Sequence, residues 1–152
     1  MLLAQSRHET ALGKEWMSVK ISQLHLSDFM LFQQADFQWS PGINVICGTN
    51  STGKTALIKL MYSLHKSYEQ WNSTETKEAA VNRFSEKLCG VFRPDNGKVG
   101  RLVRRKQGNA QMTASMGYEN GTSIDVNFGN RASKIATLIL PKMEHTASPD
   151  HT

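Results

Sequence analysis

Eight consecutive residues, Gly48-Thr49-Asn50-Ser51-Thr52-Gly53-Lys54-Thr55, limit what this chain can fold into more than any other stretch. They satisfy the spacing G-x-x-x-x-G-K-[ST] without a mismatch. A short apolar run, Ile43-Asn44-Val45-Ile46-Cys47, leads in, and a helix-forming stretch, Ala56 to Tyr62, leads out. Strand, glycine loop and helix in that order are the setting in which the pattern has mechanical meaning. A tight loop turns successive backbone N–H groups toward one point, and glycines at 48 and 53 leave room for a bulky anion there. The helix that follows adds unpaired N–H groups and the positive end of its dipole. Lys54 then supplies an ammonium for the β- and γ-phosphates of a nucleotide. Thr55 supplies a hydroxyl for Mg²⁺, and Gly48, Asn50, Ser51, Thr52 and Gly53 supply the cradle.

Composition narrows the class. The chain has 152 residues, 39% apolar and 20% charged, which fits one globular domain and not a disordered segment. No apolar run is long enough to span a bilayer. The first residues lack both a long apolar core and a basic flank, so no signal peptide is expected and the cytoplasm is the expected location. Cys47 and Cys89 stand far apart and read as reduced, buried small residues. The net charge of +5 is concentrated. Arg83, Lys87, Arg93, Lys98, Arg101, Arg104, Arg105 and Lys106 face only Glu86 and Asp95 within the same stretch. Such a run can meet nucleic acid, or can be a solvated surface flanking a strand. No aromatic residues interleave it as a stacking platform would need, which favours the solvated surface.

Along the chain, residues 1–16 show no sustained periodicity and read as a flexible extension or a misassigned start. Residues 17–142 read as the compact domain, and 143–152, rich in His, Thr, Ser, Pro and Asp, as a loose tail. Strands are expected over Met17–Leu24, with Val19, Ile21 and Gln23 on one face, over Gln34–Trp39 and over Ile43–Cys47. Ser40-Pro41-Gly42 is a turn. A helix is expected to about Tyr68, and a second, amphipathic one with Ala80, Phe84, Leu88 and Val91 on its apolar face. Caps for the second helix are offered by Asn72-Ser73-Thr74. Arg93-Pro94-Asp95-Asn96-Gly97 breaks that helix. Strands are then expected over Gly100–Lys106, Ala110–Tyr118, Thr122–Phe128 and Thr137–Pro141, with turns at Gln107-Gly108-Asn109 and Glu119-Asn120-Gly121.

The segment Val19 to Phe29, followed by Phe37-Gln38-Trp39-Ser40-Pro41-Gly42-Ile43-Asn44-Val45-Ile46-Cys47-Gly48, resembles the amino-terminal half of the RecF/SMC/OLD-like ATPases, ABC-type enzymes filed under the AAA name. Asn50 matches the asparagine of that family's loop. The resemblance covers residues 17 to 65 strongly, and Val91–Asp95 and Leu138–Glu144 more weakly. It implies an α/β P-loop NTPase fold, the amino-terminal lobe of an ABC-type ATPase, with mixed and antiparallel sheet and an incomplete core. It also implies ATP and Mg²⁺ as ligands. Two departures accompany it. Relatives place an arginine after the phenylalanine, where it helps hold the nucleotide; here that position is Met30. The family's hydrolytic carboxylates follow a run of four apolar residues, and this sequence has no such run: Asp125 follows only Ser123-Ile124, and Leu138-Ile139-Leu140 meets Pro141. A Leu-Ser-x-Gly-type signature and a later switch histidine are also missing, so no catalytic residue is assigned.

The expected function is Mg-ATP binding by an ATPase lobe whose hydrolysis needs a carboxy-terminal lobe or partner, either a second copy or a full-length ATPase chain. The alternatives are a non-catalytic regulatory module and a nucleic-acid-binding module that uses residues 83–106. A kinase or GTPase shares the loop. The Asn-Lys-x-Asp segment of guanine binders is absent, however, and small-molecule kinases lack the two strands and Pro-Gly turn before it.

Overall fold

A computed structural model describes residues 20–141; the extension, the tail and the expected strand residues Met17–Val19 lie outside the described residues. Five strands form one antiparallel sheet: β1 (Ile21–Phe29), β2 (Phe32–Gln38), β3 (Gln111–Tyr118), β4 (Ser123–Gly129) and β5 (Thr137–Ile139), in the order β2-β1-β3-β4-β5. Two helices, α1 (Lys54–Gln70) and α2 (Lys77–Phe92), sit between β2 and β3 in sequence. The architecture is α/β, but the sheet is wholly antiparallel among the described residues, not mixed.

Alternation of side chains explains why the sheet takes this shape. Register places Phe37, Leu24, Met116 and Ile124 side by side across four strands, and Ala35, Leu26, Ala114, Val126 and Leu138 across five. From Leu24 to Leu138, the members of these rows on β1, β3, β4 and β5 are buried. The opposite face carries His25, Ser27, Thr113, Ser115, Asp125 and Asn127, as befits a sheet with one face in water. The apolar face joins Leu57, Leu60 and Leu64 of α1 and Phe84 and Leu88 of α2 in one core. Burying a side chain such as Phe84 is worth about 2 kcal/mol.

Two sequence expectations for β1 fail together. The strand begins at Ile21 and runs on to Phe29, and its buried positions are Leu24, Leu26 and Phe29, not Gln23. The pairing with β3 slips between Ile21 and Gln23, so the alternation changes phase there. A bulge of this kind sets two residues against one, so Ile21 and Leu24, three positions apart, face the same side of the sheet. Ile21 therefore packs with Trp39 at the margin of the core that Leu24 and Leu26 enter.

α2 starts one turn later than Asn72-Ser73-Thr74 suggests. Thr76 is its cap, its hydroxyl accepting from Ala79 N at 3.1 Å, while Asn72 accepts from Thr74 N and closes the turn before it. The helix ends on Arg93 in the left-handed region (φ 50°), whose N–H donates to Cys89 O at 2.9 Å.

The expected strand over Gly100–Lys106 is absent. Val99–Leu102 is a 3-10 turn, and beyond it a single bridge joins Val103 to Phe29. Val99, Leu102 and Val103 are all buried there, so what alternation suggested was a strand is a short turn that plugs the end of the sheet. A strand is held by a ladder of partners, and β1's edges are already taken by β2 and β3. The hairpin expected at Gln107-Gly108-Asn109 is lost with it. The one at Glu119-Asn120-Gly121 stands, joining β3 to β4 with Gly121 at φ 84°. β5 is half-buried: Leu138 faces the core and Ile139 faces out.

Candidate functional site: the glycine loop and its surroundings

The loop leaves the sheet at the end of β2. Trp39 N donates to Ser22 O (2.8 Å), and Lys20 Nζ donates to Pro41 O (2.8 Å). Asn44 then clamps the Ser-Pro-Gly turn. Its Oδ1 accepts from Ser40 N (2.8 Å) and its Nδ2 donates to Ser40 O (2.9 Å). Asparagine commonly stabilises turns this way, so its place two residues after Gly42 was an available signal.

The strand expected over Ile43–Cys47 does not form. Ile43 and Val45 are 91% and 78% exposed, and Cys47 is exposed where a buried residue was expected. None of the backbone groups of residues 43–47 finds a backbone partner among the described residues. Every strand of the sheet lies elsewhere, and an extended run without a neighbour has nothing to hold its ladder. Ile46 alone turns inward. It lines an apolar groove of about 340 Å³ with Ile21, Trp39, Ile58, Met61 and Tyr62, and the indole Nε1 of Trp39 is buried without a partner. Cys89 is half-buried, its Sγ 3.2 Å from Gly97 O, and burial raises its thiol pKa.

From Gly48 to Thr55 the expected parts come together. Thr52 Oγ1 donates to Thr49 O (2.8 Å), Ser51 adopts φ 64°, and Gly53 adopts φ 91° to start α1. A Cβ on Gly53 would stand 2.9 Å from the Phe32 ring, so backbone angle and space both require glycine there. Lys54, the first residue of α1, folds back into the loop, its ammonium donating to the carbonyls of Gly48 and of Thr49 (2.7 Å). α1 has no side-chain cap and no acidic residue in its first turn. The N–H groups of that turn and the positive end of the dipole are left for an external anion, with the lysine ammonium beside them. Asn50, Ser51, Thr52 and Thr55 are exposed on the same turn. This donor set fits a phosphate chain, and the Thr55 hydroxyl at the helix start fits a magnesium ion bound along with it. Among the described residues no group of three or more His, Cys, Asp or Glu side chains could hold a metal without such a ligand.

Other singled-out residues scatter. Met30 has φ 48° in the β1–β2 turn, and its N–H donates to Leu102 O (2.9 Å). Phe32 lies under the loop at Gly53, but Phe29 packs edge-on to Phe92 in the core (5.8 Å). Asp125 sits on the polar face of β4, where Ser123 Oγ donates to it at 3.3 Å. The basic stretch divides. Arg83 braces the link between the helices through Gln70 O and Glu75 (2.5 Å), whereas Arg93, Arg101, Arg104, Arg105 and Lys106 line one pocket. Farther along α1, the Tyr118 hydroxyl and His65 Nδ1 share a hydrogen bond (2.9 Å), and His65 Nε2 lies 3.3 Å from Glu69. Burial, then the neighbouring Tyr68 and Glu69, push the Tyr118 phenol well above its ordinary pKa. No described helix is long and apolar enough to cross a membrane.

Comparison with known proteins agrees with this arrangement. Residues 23–135, which include most of β1, the loop, both helices and β4, match the AAA domain family. The DNA replication and repair protein RecF of Streptococcus equi subsp. zooepidemicus is 27% identical over 99 residues, covering 57% of this chain and 27% of that protein. RecF of Limosilactobacillus reuteri is 34% identical over 77 residues (46% and 21%), and RecF of Renibacterium salmoninarum 46% over 41 residues (27% and 10%). The chain thus spans about a quarter or less of the length of these curated relatives. No solved structure matches. With the family match running through strand pair, glycine loop and helices alike, the chain belongs to the AAA domain family, in the RecF/SMC group of AAA/ABC-type ATPases.

Proposed function

We propose that this chain binds Mg-ATP through Gly48, Asn50, Ser51, Thr52, Gly53, Lys54 and Thr55, as the amino-terminal lobe of a RecF-like ATPase spanning residues 17–142. The carrying observation is the ammonium of Lys54 held inside the loop at an uncapped helix start. A phosphate chain entering the loop replaces contacts of that ammonium to neutral carbonyls with contacts to anionic oxygens, adding the attraction of opposite charges. Positioning and charge stabilisation do most of the work in phosphoryl transfer, but the attacking water still needs a carboxylate to orient it. No apolar run in this sequence ends in one. ATP is therefore bound and turned over slowly, if at all, until a second lobe supplies the missing carboxylate from a longer ATPase chain. The exposed Ile43–Cys47 run and the groove beside it are consistent with a face meant for such a lobe. The proposed setting is the cytoplasm, a reading that the kinship to replication and repair proteins supports.

Isothermal titration of folded protein with Mg-ATP should give saturable heat, and Lys54→Ala should weaken it at least ~100-fold without unfolding the chain. Absence of heat with Mg-ATP and Mg-GTP alike would sink the reading. Fast, Lys54-dependent phosphate release by this chain alone would leave binding intact but overturn the requirement for a second lobe.

A further inference from the structure

The run that enters the glycine loop has needs that nothing else among the described residues meets. The backbone groups of residues 43–47 find no backbone partner there. Ile43, Val45 and Cys47, two positions apart, are exposed, while Ile46 turns inward. That alternation belongs to a strand, and the second strand is missing. Beside the run, Ile58 and Tyr62 of α1 are more than half exposed on the rim of the groove that Ile46 lines. The indole N–H of Trp39, buried in the wall of that groove, also lacks an acceptor among the described residues.

Charge and symmetry point to the occupant. No residue from Phe37 to Gly53 is charged, although the chain carries a net +5. Two copies therefore repel over much of their surface, and least of all here. A run of unpaired N–H and C=O groups is also complementary to itself. Turned about a two-fold axis, each copy supplies the donors that the other's carbonyls need, and the pairing closes at two chains. Centred on Val45, an antiparallel pair sets Val45 opposite its own counterpart, Ile43 opposite Cys47 of the second copy, and Asn44 opposite Ile46. Ile43, Val45 and Cys47 then shield one another from water on one face, while Ile46 stays over the groove.

We propose that this chain forms a two-fold dimer with a second copy of itself, through Ile43–Cys47 and the groove beside that run, without nucleotide. Such a dimer covers the face on which the lobe of a longer ATPase would sit, so the two exclude one another. Nothing in the contact needs an occupied glycine loop, and it holds or fails separately from ATP binding. Five paired residues a side make a small interface, so a dissociation constant on the order of 10 µM is expected. Well below it the chain is single, and unfolding measured there reports on the monomer and not on the contact.

Sedimentation velocity of the full chain from about 2 to about 200 µM should show a species of twice the chain mass growing with concentration. Its amount should be the same with and without Mg-ATP, and the same in Lys54→Ala. Ile43→Lys/Val45→Lys puts ammonium groups at the centre of the contact and should weaken association at least ~10-fold. Circular dichroism should not change, since both side chains are in water in the single chain. A bismaleimide applied to a Cys89→Ala chain reads the position of the contact, because two Cys47 thiols lie within roughly 14 Å in any register centred between Val45 and Cys47. A covalent dimer should form there, and not when Cys47→Ser is added. A chain that stays monomeric over the whole range, or a dimer that survives the Lys pair, would overturn the proposal. So would a dimer that appears only with Mg-ATP and is lost in Lys54→Ala, which would place the contact at the glycine loop.

Discussion

The glycine loop and the arginine pocket are built in opposite ways. Residues 48–55 declare their chemistry in order along the chain, yet the run that enters the loop, Ile43–Cys47, has no strand beside it among the described residues and two apolar side chains in water. Residues 93–106 declare nothing but charge, yet their backbone is pinned by three buried side chains and two hydrogen bonds to the β1–β2 turn. A motif made of backbone geometry can persist on a poorly supported segment, because its donors are neighbours in sequence. A site made of convergent side chains exists only where tertiary packing holds their backbone. Rigidity and legibility need not coincide.

Substitutions can break or sharpen that contrast. Leu102→Ala removes a buried anchor of the arginine pocket and should cost about 3 kcal/mol in urea unfolding. A loss below ~1 kcal/mol would mean that the backbone of residues 93–106 does not depend on this anchor. Gly53→Ala places a Cβ against Phe32 at a positive φ, and should cost roughly 1–2 kcal/mol and more of nucleotide affinity than of stability. Equal losses in both would mean the loop is a packing element first.

Alkaline pH probes the helix–sheet seam between the two regions. Tyr118 is raised by burial, so above the ordinary phenol pKa of 10 the unfolded chain loses its proton while the folded chain keeps it. Stability should then fall by about 1 kcal/mol per pH unit above 10, and be flat with respect to this group below it. Tyr118→Phe should flatten the alkaline limb.

Smaller effects test the edges of each region. Arg93→Gly relieves the left-handed helix end and should raise stability by about 0.5–1 kcal/mol in chemical denaturation. Ile43→Ser/Val45→Ser should change the unfolding free energy of this chain by less than ~0.5 kcal/mol, since both side chains are already in water. A loss of several kcal/mol in chemical denaturation would show that the run is buried in solution.

Much of the scaffold was legible because it rests on local periodicity. α1 and α2, the β3–β4 hairpin with its Asn-Gly turn, and the apolar faces of Ala80, Phe84 and Leu88 follow from spacing alone. The expectation failed where pairing decides. Gly100–Lys106 and Ile43–Cys47 have strand-like sequences, but a strand is a relation between two segments, and β1 had both edges occupied. The face of β1 was misjudged because a bulge between Ile21 and Gln23 resets the alternation, and no residue type announces it.

The order of residues by itself determined the glycine loop, its lysine and threonine, and the helix behind them, because those donors are set by neighbours on the chain. Only the tertiary structure decided that one sheet is wholly antiparallel and that Ile43 and Val45 face water. It alone gathered four arginines, spread over 13 residues from Arg93 to Arg105, into a single concavity. Hydrogen-bond partners across a sheet and charges meeting across a pocket are separated in sequence, and packing alone selects which of them meet.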